Sequence, residues 1–282
     1  MDEWIVLTGA GVLGLIFGSL LNVIISRVPS MTETKLRAEA FELLNMEAPD
    51  RPTLNLFVPR SHCPACQTPL NPLHMVPIVS WILLRAECAD CGAKISARYP
   101  LIELIVCLLA VLAVLVAGVS LESAILLIGT SLLVALATID LEQGLLPNEL
   151  SYPLLFLGLV SAVLFPTSAF VAPVESGVIG AVVGYVSFWL INHAFRLVTG
   201  RDGMGEGDFK LHAAIGAWIG WELMPYMIVF AFSIGLIYAL LQLVKRTYSF
   251  TAGIPFGAFL AFSAIITIFL HDQLYAWTFL RS

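Results

Sequence analysis

The sequence predicts an all-α polytopic membrane protein, with about eight transmembrane helices and a small cysteine-bearing domain in the loop between the first two. Three observations predict it. The 282-residue chain is 59% hydrophobic and 12% charged, with a mean hydropathy of +0.92, whereas soluble domains are about 45–50% apolar and about 25% charged. Apolar runs of roughly 17–25 residues, the length that crosses a hydrocarbon core of about 30 Å as a helix, recur along it. One long polar stretch interrupts them, and it carries all the cysteines except Cys107. The net charge of −6 says little about partners, because lipid covers most of such a surface and orientation follows the placement of Lys and Arg. No basic patch of the kind that binds nucleic acid is visible.

The predicted helices run near 4–26, 101–118, 122–139, 150–166, 175–195, 209–222, 225–244 and 253–271, the sixth being short. The first follows Asp2 and Glu3 rather than a basic segment, and Arg27 closes it without a small-residue cleavage site. It therefore reads as a retained anchor, not a cleaved leader. With the N-terminus outside, the inner side receives Arg27, Lys35, Arg37, Arg51, Arg60, Arg85, Lys94, Arg98, Arg196, Arg201, Lys210, Lys245 and Arg246, and only Arg281 of the 14 Lys and Arg residues falls opposite. The positive-inside rule then puts both termini outside. An even number of spans agrees. The chain divides into a first transmembrane helix (1–27), a cytoplasmic domain (28–100) and a membrane domain of the remaining helices (101–282). No internal repeat or low-complexity tract is present.

Within the cytoplasmic domain, residues 31–47, MTETKLRAEAFELLNME, offer Leu36, Phe41, Leu43 and Leu44 as the apolar face of a further helix, which proline-rich sequence after Ala48 ends. Downstream come CPAC, with Cys63 and Cys66, and CADC, with Cys88 and Cys91. Two such turns set four thiolates at the corners of a tetrahedron, the arrangement Zn²⁺ takes in structural sites; their separation is just beyond the usual range of roughly 15–20 residues. A reducing compartment disfavours two disulfides. An iron–sulfur centre takes the same ligands. Four protein thiolates leave no open position for water, so the metal is expected to be structural. His62 and His74 then stay loop residues, and Cys107, inside the second helix, reads as core.

Ionisable residues near a membrane are costly and point to function. Asp140, in ATIDLEQGLLPNEL, ends the third predicted helix, and Asp208, in GMGEGDFKL, opens the sixth. Following the chain across the membrane, both fall at the cytoplasmic face, so a packed bundle can bring them together although they are far apart in sequence. Two close carboxylates share a proton and titrate as a pair, one serving as general base on water and the other as general acid. That is aspartic-protease chemistry. Gly203, Gly205 and Gly207 would let a substrate backbone approach; no Gly-Lys-Ser/Thr follows, so they form no phosphate loop. By residue type alone, an N-cap role for Asp208 and a solvated helix end for Asp140 stand beside this reading. Glu142, Glu149, Asp202 and Glu206 crowd the same face.

Gly-x-Gly-Asp at Gly205–Asp208, with an upstream aspartate at a helix end, resembles the intramembrane aspartyl proteases. The wider set resembles the bacterial type IV prepilin peptidases: GSLLNVIISRVP at 18–29, CPACQTPL at 63–70, PIVSWILLR at 77–85, CADCGAKISARYPLIEL at 88–104, GMGEGDFKL at 203–211 and IPFGAFLA at 254–261. The resemblance spans nearly the whole chain in one order. It departs at Leu20, where Phe is common, and at Ala258, where Pro is common. It implies a bifunctional inner-membrane enzyme that removes the basic leader of type IV prepilins and type II secretion pseudopilins, then N-methylates the new terminal residue, usually Phe, with S-adenosylmethionine. On this resemblance Asp140 and Asp208 are catalytic and the four cysteines bind zinc.

Methylation rests on the resemblance alone, because no Gly-rich loop after a predicted strand is present. Asn22 and Arg27, at the inner end of the first helix, are candidates for touching the prepilin or the methyl donor, beside an interhelical hydrogen bond for Asn22 and an anchor role for Arg27. Gly14 and Gly18 form a small-residue step suited to helix packing. Glu103 pairs equally well with Arg98 or with a substrate. His193, His212 and His271 are expected at the membrane interface. A presenilin or signal-peptide-peptidase type of protease shares Gly-x-Gly-Asp, but this chain lacks the Pro-Ala-Leu element near its C-terminus. A non-enzymatic transporter would line its pathway with charges at the membrane midplane, whereas these lie at its face.

Overall fold

The computed structural model describes residues 3–46, 54–244 and 255–279. Among them every regular element is a helix, with two isolated β-bridges and no strand. Glu47, at the end of the expected loop helix, and Arg51, Lys245, Arg246 and Arg281, used for orientation, lie outside the described residues. Two compact units form, Met1–Leu127 and Ile128–Ser282.

The first unit contains α1 (Glu3–Leu43), a 3₁₀ turn (Pro72–Met75), α2 (Val79–Leu83), α3 (Arg98–Ala117) and the start of α4 (Leu121–Gln143). Contrary to expectation, α1 does not stop at Arg27: its 41 residues run unbroken through Pro29 and absorb the separate helix expected over 31–47. At about 1.5 Å per residue it is about 60 Å long, twice a hydrocarbon core. The change from apolar to polar sequence marks where the helix leaves the apolar phase, not where it ends. It packs against α3 through its small residues. A Cβ added at Gly14 would lie 2.6 Å from the Cys107 Cα, and one at Gly18 2.6 Å from the Glu103 Cα. One turn further on, the Asn22 side-chain amide donates to the Tyr99 carbonyl at 3.1 Å. Gly14 and Gly18 thus pack as expected, Asn22 makes its interhelical bond, and Cys107 lies on the seam.

The second unit holds the rest of α4 with α5 (Asn148–Leu164), α6 (Val174–Thr199), α7 (Glu206–Val244), α8 (Phe256–Phe269) and α9 (His271–Phe279). Its core is organised around buried Trp218, whose indole N–H donates to the Leu154 carbonyl at 2.9 Å. Gly129 and Gly158 leave the room its ring occupies. The α6 and α7 backbones touch at Gly180 and Gly216. Predicted helices six and seven are both present within α7 and meet at a kink at Gly220, whose φ of 74° and ψ of 167° are not helical. The break frees the Trp218 carbonyl to accept the Ala172 amide at 2.8 Å, and Pro225 removes one more intrahelical donor just beyond it. Five described helices are long and apolar enough to cross a membrane, six if α8 and α9, bent by 79°, count as one span. α5 is a shorter apolar helix.

Candidate active site

Asp140 occupies the last turn of α4 and is 7% exposed. Its Oδ2 accepts the Ala258 amide at 2.8 Å. The first amides of a helix have no intrahelical partner, and here a carboxylate from another helix satisfies one in the first turn of α8, where the helix dipole favours an anion. Asp208 stands in the first turn of α7, its amide donating to the Gly205 carbonyl at 3.2 Å. Gly257 lies between the two. A Cβ there would meet Asp140 Oδ2 at 3.1 Å and Asp208 Oδ1 at 3.2 Å, so the two oxygens are no farther apart than the sum of those distances. Asp140 is therefore no solvated helix end. Gly205 precedes the first residue of α7, so Asp208 does not occupy the N-cap position.

Two glycines leave room for a leucine here. Leu146, in the turn between α4 and α5, wedges against both Gly207 and Gly257: a Cβ at Gly207 would lie 2.8 Å from Leu146 Cβ, and one at Gly257 2.7 Å from Leu146 Cδ1. The loop before α7 is pinned to α6, because the Asn192 side-chain oxygen accepts the amides of Gly203 at 2.8 Å and Met204 at 3.1 Å. Asn192, Leu146, Gly257 and the Ala258 amide went unassigned in sequence. The IPFGAFLA segment was the only signal, and it carried no role until α8 was seen to begin at the carboxylates.

Glu142, Glu149, Asp202 and Glu206 are exposed at the same two junctions, the turn between α4 and α5 and the loop before α7. Asp202 lies 3.7 Å from Arg196, which offsets part of its charge. His212, expected at the interface, is 1% exposed; its Nδ1 lies 3.1 Å from the Gly184 carbonyl and its ring 3.9 Å from that of Phe188. The close α6–α7 approach seals it. His271 is also buried, while His193 stacks on Trp189.

In the first unit the cysteine turns repeat one geometry. Cys63 donates its amide to Thr68 and its carbonyl accepts from Gln67; Cys88 donates to Ala93 and accepts from Gly92. Gln67 and Gly92 both take positive φ, 60° and 70°. The four sulfurs lie within 4.8 Å of one another, and Cys63 and Cys91 are 3.8 Å apart. A tetrahedron built on Zn–S bonds of about 2.3 Å has edges of about 3.8 Å, so the donor set fits a zinc ion. Hydrogen bonds from the Thr68 hydroxyl and amide hold the Cys66 thiol down at about 6. The amides of Asp90 and Cys91 lower Cys88. Although the Ala93 amide pulls the other way, desolvation and the neighbouring sulfurs push Cys91 up to about 12, a proton that a bound cation displaces. His62 and His74 stay outside this cluster.

The bacterial peptidase A24 N-terminal domain matches residues 12–117, and the type IV leader peptidase family matches residues 126–240. The chain is 39% identical over 277 residues to the prepilin leader peptidase/N-methyltransferase of Aeromonas salmonicida (strain A449), covering 97% of this chain and 94% of that one. It is 39% identical over 263 residues to the protein of the same name from Pseudomonas aeruginosa, covering 93% and 89%, and 43% identical over 246 residues to that of Neisseria gonorrhoeae, covering 86% and 85%. No solved structure matches the chain.

Proposed function

The chain belongs to the type IV leader peptidase family, and from this premise we infer that it is a membrane enzyme of two activities, cleaving prepilins and N-methylating the product. Membership sets aside the presenilin-type and transporter readings. The observation that carries the cleavage site is the pairing of Asp140 and Asp208 across Gly257.

In this reading one carboxylate, ionised, takes a proton from water while the other gives one to the scissile carbonyl oxygen. The hydroxide oxygen bonds to the carbonyl carbon. Collapse breaks the C–N bond, its electron pair going to nitrogen with the proton the first carboxylate took from water, while a hydroxyl of the tetrahedral diol returns a proton to the second. The product amine is the new pilin N-terminus. Its lone pair takes the methyl group of S-adenosylmethionine, the C–S electron pair stays on sulfur, and one proton leaves to solvent. Cys63, Cys66, Cys88 and Cys91 would hold a structural zinc that ties the cytoplasmic domain together.

The reading extends to type II secretion pseudopilins as further substrates and to the bacterial inner membrane, with the aspartates and the cysteine domain cytoplasmic and both termini periplasmic. A prepilin presents a short basic leader before an apolar helix, so its scissile bond must reach that face. Incubating the purified protein with prepilin and labelled S-adenosylmethionine tests the reading by mass spectrometry: the expected product is shortened by its leader and carries one methyl group. Given an already trimmed pilin, Asp208→Asn should still methylate it. Label on uncut prepilin would overturn the order of steps, and intact prepilin would overturn the peptidase reading.

A further inference from the structure

A cavity of about 620 Å³ opens within the first unit, inside the range of about 300–1,000 Å³ usual for small-molecule sites. Its wall draws on α1 through Asn22, Ser26 and Arg27, on α3 through Glu103, and on the cysteine loop through Trp81. Two of its polar side chains are more than nine-tenths buried. Asn22 is 4% exposed and Glu103 7%. The Asn22 side-chain N–H₂ is committed to the Tyr99 carbonyl, which leaves its Oδ1 buried and without a hydrogen-bond partner. Glu103 Oε2 accepts the Ile78 amide at 2.7 Å. A carboxylate charge buried beside a cavity is a cost.

The Asn22 oxygen, a buried acceptor with nothing to accept, asks for a donor from outside the chain; Glu103, which takes hydrogen bonds from the Ile78 amide and from Ser19, adds a buried carboxylate beside it. The acceptor pair sits on one seam, since Asn22 meets α3 at Tyr99 and Gly18 meets it at Glu103. Trp81 turns its indole N–H to the Ile95 carbonyl at 3.2 Å, which fixes the ring as part of the wall. Arg27, holding the carbonyls of Asn55 at 2.8 Å and Pro59 at 2.6 Å, ties the loop down beside it. A flat molecule that carries hydrogen-bond donors and positive charge suits these groups. S-adenosylmethionine has both, with an ammonium, ribose hydroxyls, an adenine amine and a cationic sulfonium.

We propose that this cavity is the methyl-donor site, in which the Glu103 carboxylate lies beside the sulfonium of S-adenosylmethionine and the Asn22 amide oxygen accepts one of its N–H or O–H donors. The proposal rests on the methyltransferase reading above. It puts donor binding in the unit that carries the cysteines and cleavage in the other.

The test is equilibrium dialysis of labelled S-adenosylmethionine, and separately of S-adenosylhomocysteine, against the full-length zinc-loaded protein in detergent. Glu103→Gln keeps the acceptor for the Ile78 amide and removes only the charge; Ser26→Trp fills the cavity and leaves both acceptors. Zinc content matching wild type reports the fold of each variant. Glu103→Gln should weaken the sulfonium donor at least tenfold and the uncharged thioether product distinctly less, and Ser26→Trp should weaken both at least tenfold. Unchanged binding in both variants overturns the site alone, and equal weakening of the two ligands by Glu103→Gln overturns the role of its charge. Wild-type protein that cleaves prepilin yet takes up neither ligand overturns the methyltransferase reading and this site with it.

Discussion

Gly257→Ala places a methyl group 2.7 Å from Leu146 Cδ1, 3.1 Å from Asp140 Oδ2 and 3.2 Å from Asp208 Oδ1. The leucine contact involves the tip of a flexible side chain and is relieved by a small rotation. The two carboxylate contacts are tighter than ordinary packing, so each oxygen recedes by a few tenths of an ångström, and they recede from a shared point. Overpacking of this kind costs about 1–3 kcal/mol, offset by up to about 1 kcal/mol from replacing glycine inside a helix. The fold therefore survives. Catalysis is less tolerant, because a misplacement of about 1 Å costs about 10²-fold; smaller shifts of both carboxylates predict a loss of about ten- to a hundredfold in kcat/KM. The assay is cleavage of a prepilin peptide, with thermal unfolding measured on the same preparation. Turnover within twofold of wild type would refute the reasoning. So would recovery of turnover in Leu146→Ala/Gly257→Ala, which removes the leucine clash but leaves the carboxylates crowded.

Asp140→Asn and Asp208→Asn should each lower kcat by at least about 10²-fold with the fold intact; near-normal turnover in either would break the dyad, as peptide cleavage by each variant will show. Elemental analysis should find one zinc per chain, lost on Cys66→Ser, and iron in its place would overturn the zinc assignment. Raising salt or reversing the leader's basic charges should weaken cleavage, because the exposed Glu142, Glu149 and Glu206 act over a Debye length of about 8 Å at physiological salt; a flat salt profile would remove them from recognition. Gly14→Ala drives a methyl group into the α3 backbone at the Cys107 Cα, 2.6 Å away. It should lower stability by about 1–3 kcal/mol, read from thermal unfolding.

Residue order alone determined that this is a membrane-embedded helical protein, because the cost of unpaired backbone in lipid leaves long apolar segments few alternatives to helix. It also determined the cysteine cluster, since Cys-x-x-Cys turns place their sulfurs by local geometry, and the candidate aspartates, since carboxylates at helix ends within so apolar a chain stand out. Continuity was not legible. Nothing local in SRVPSM ends or extends α1 decisively, and the Gly220 break in α7 depends on the Ala172 amide reaching the Trp218 carbonyl from elsewhere. The distance between Asp140 and Asp208, the α8 amide that meets Asp140, and the Leu146 wedge against Gly207 all arise from contacts between segments remote in sequence. So does the seam that leaves the Asn22 oxygen unpaired beside a cavity. Pattern reveals which residues are out of place in an apolar helix; packing alone decides which of them meet.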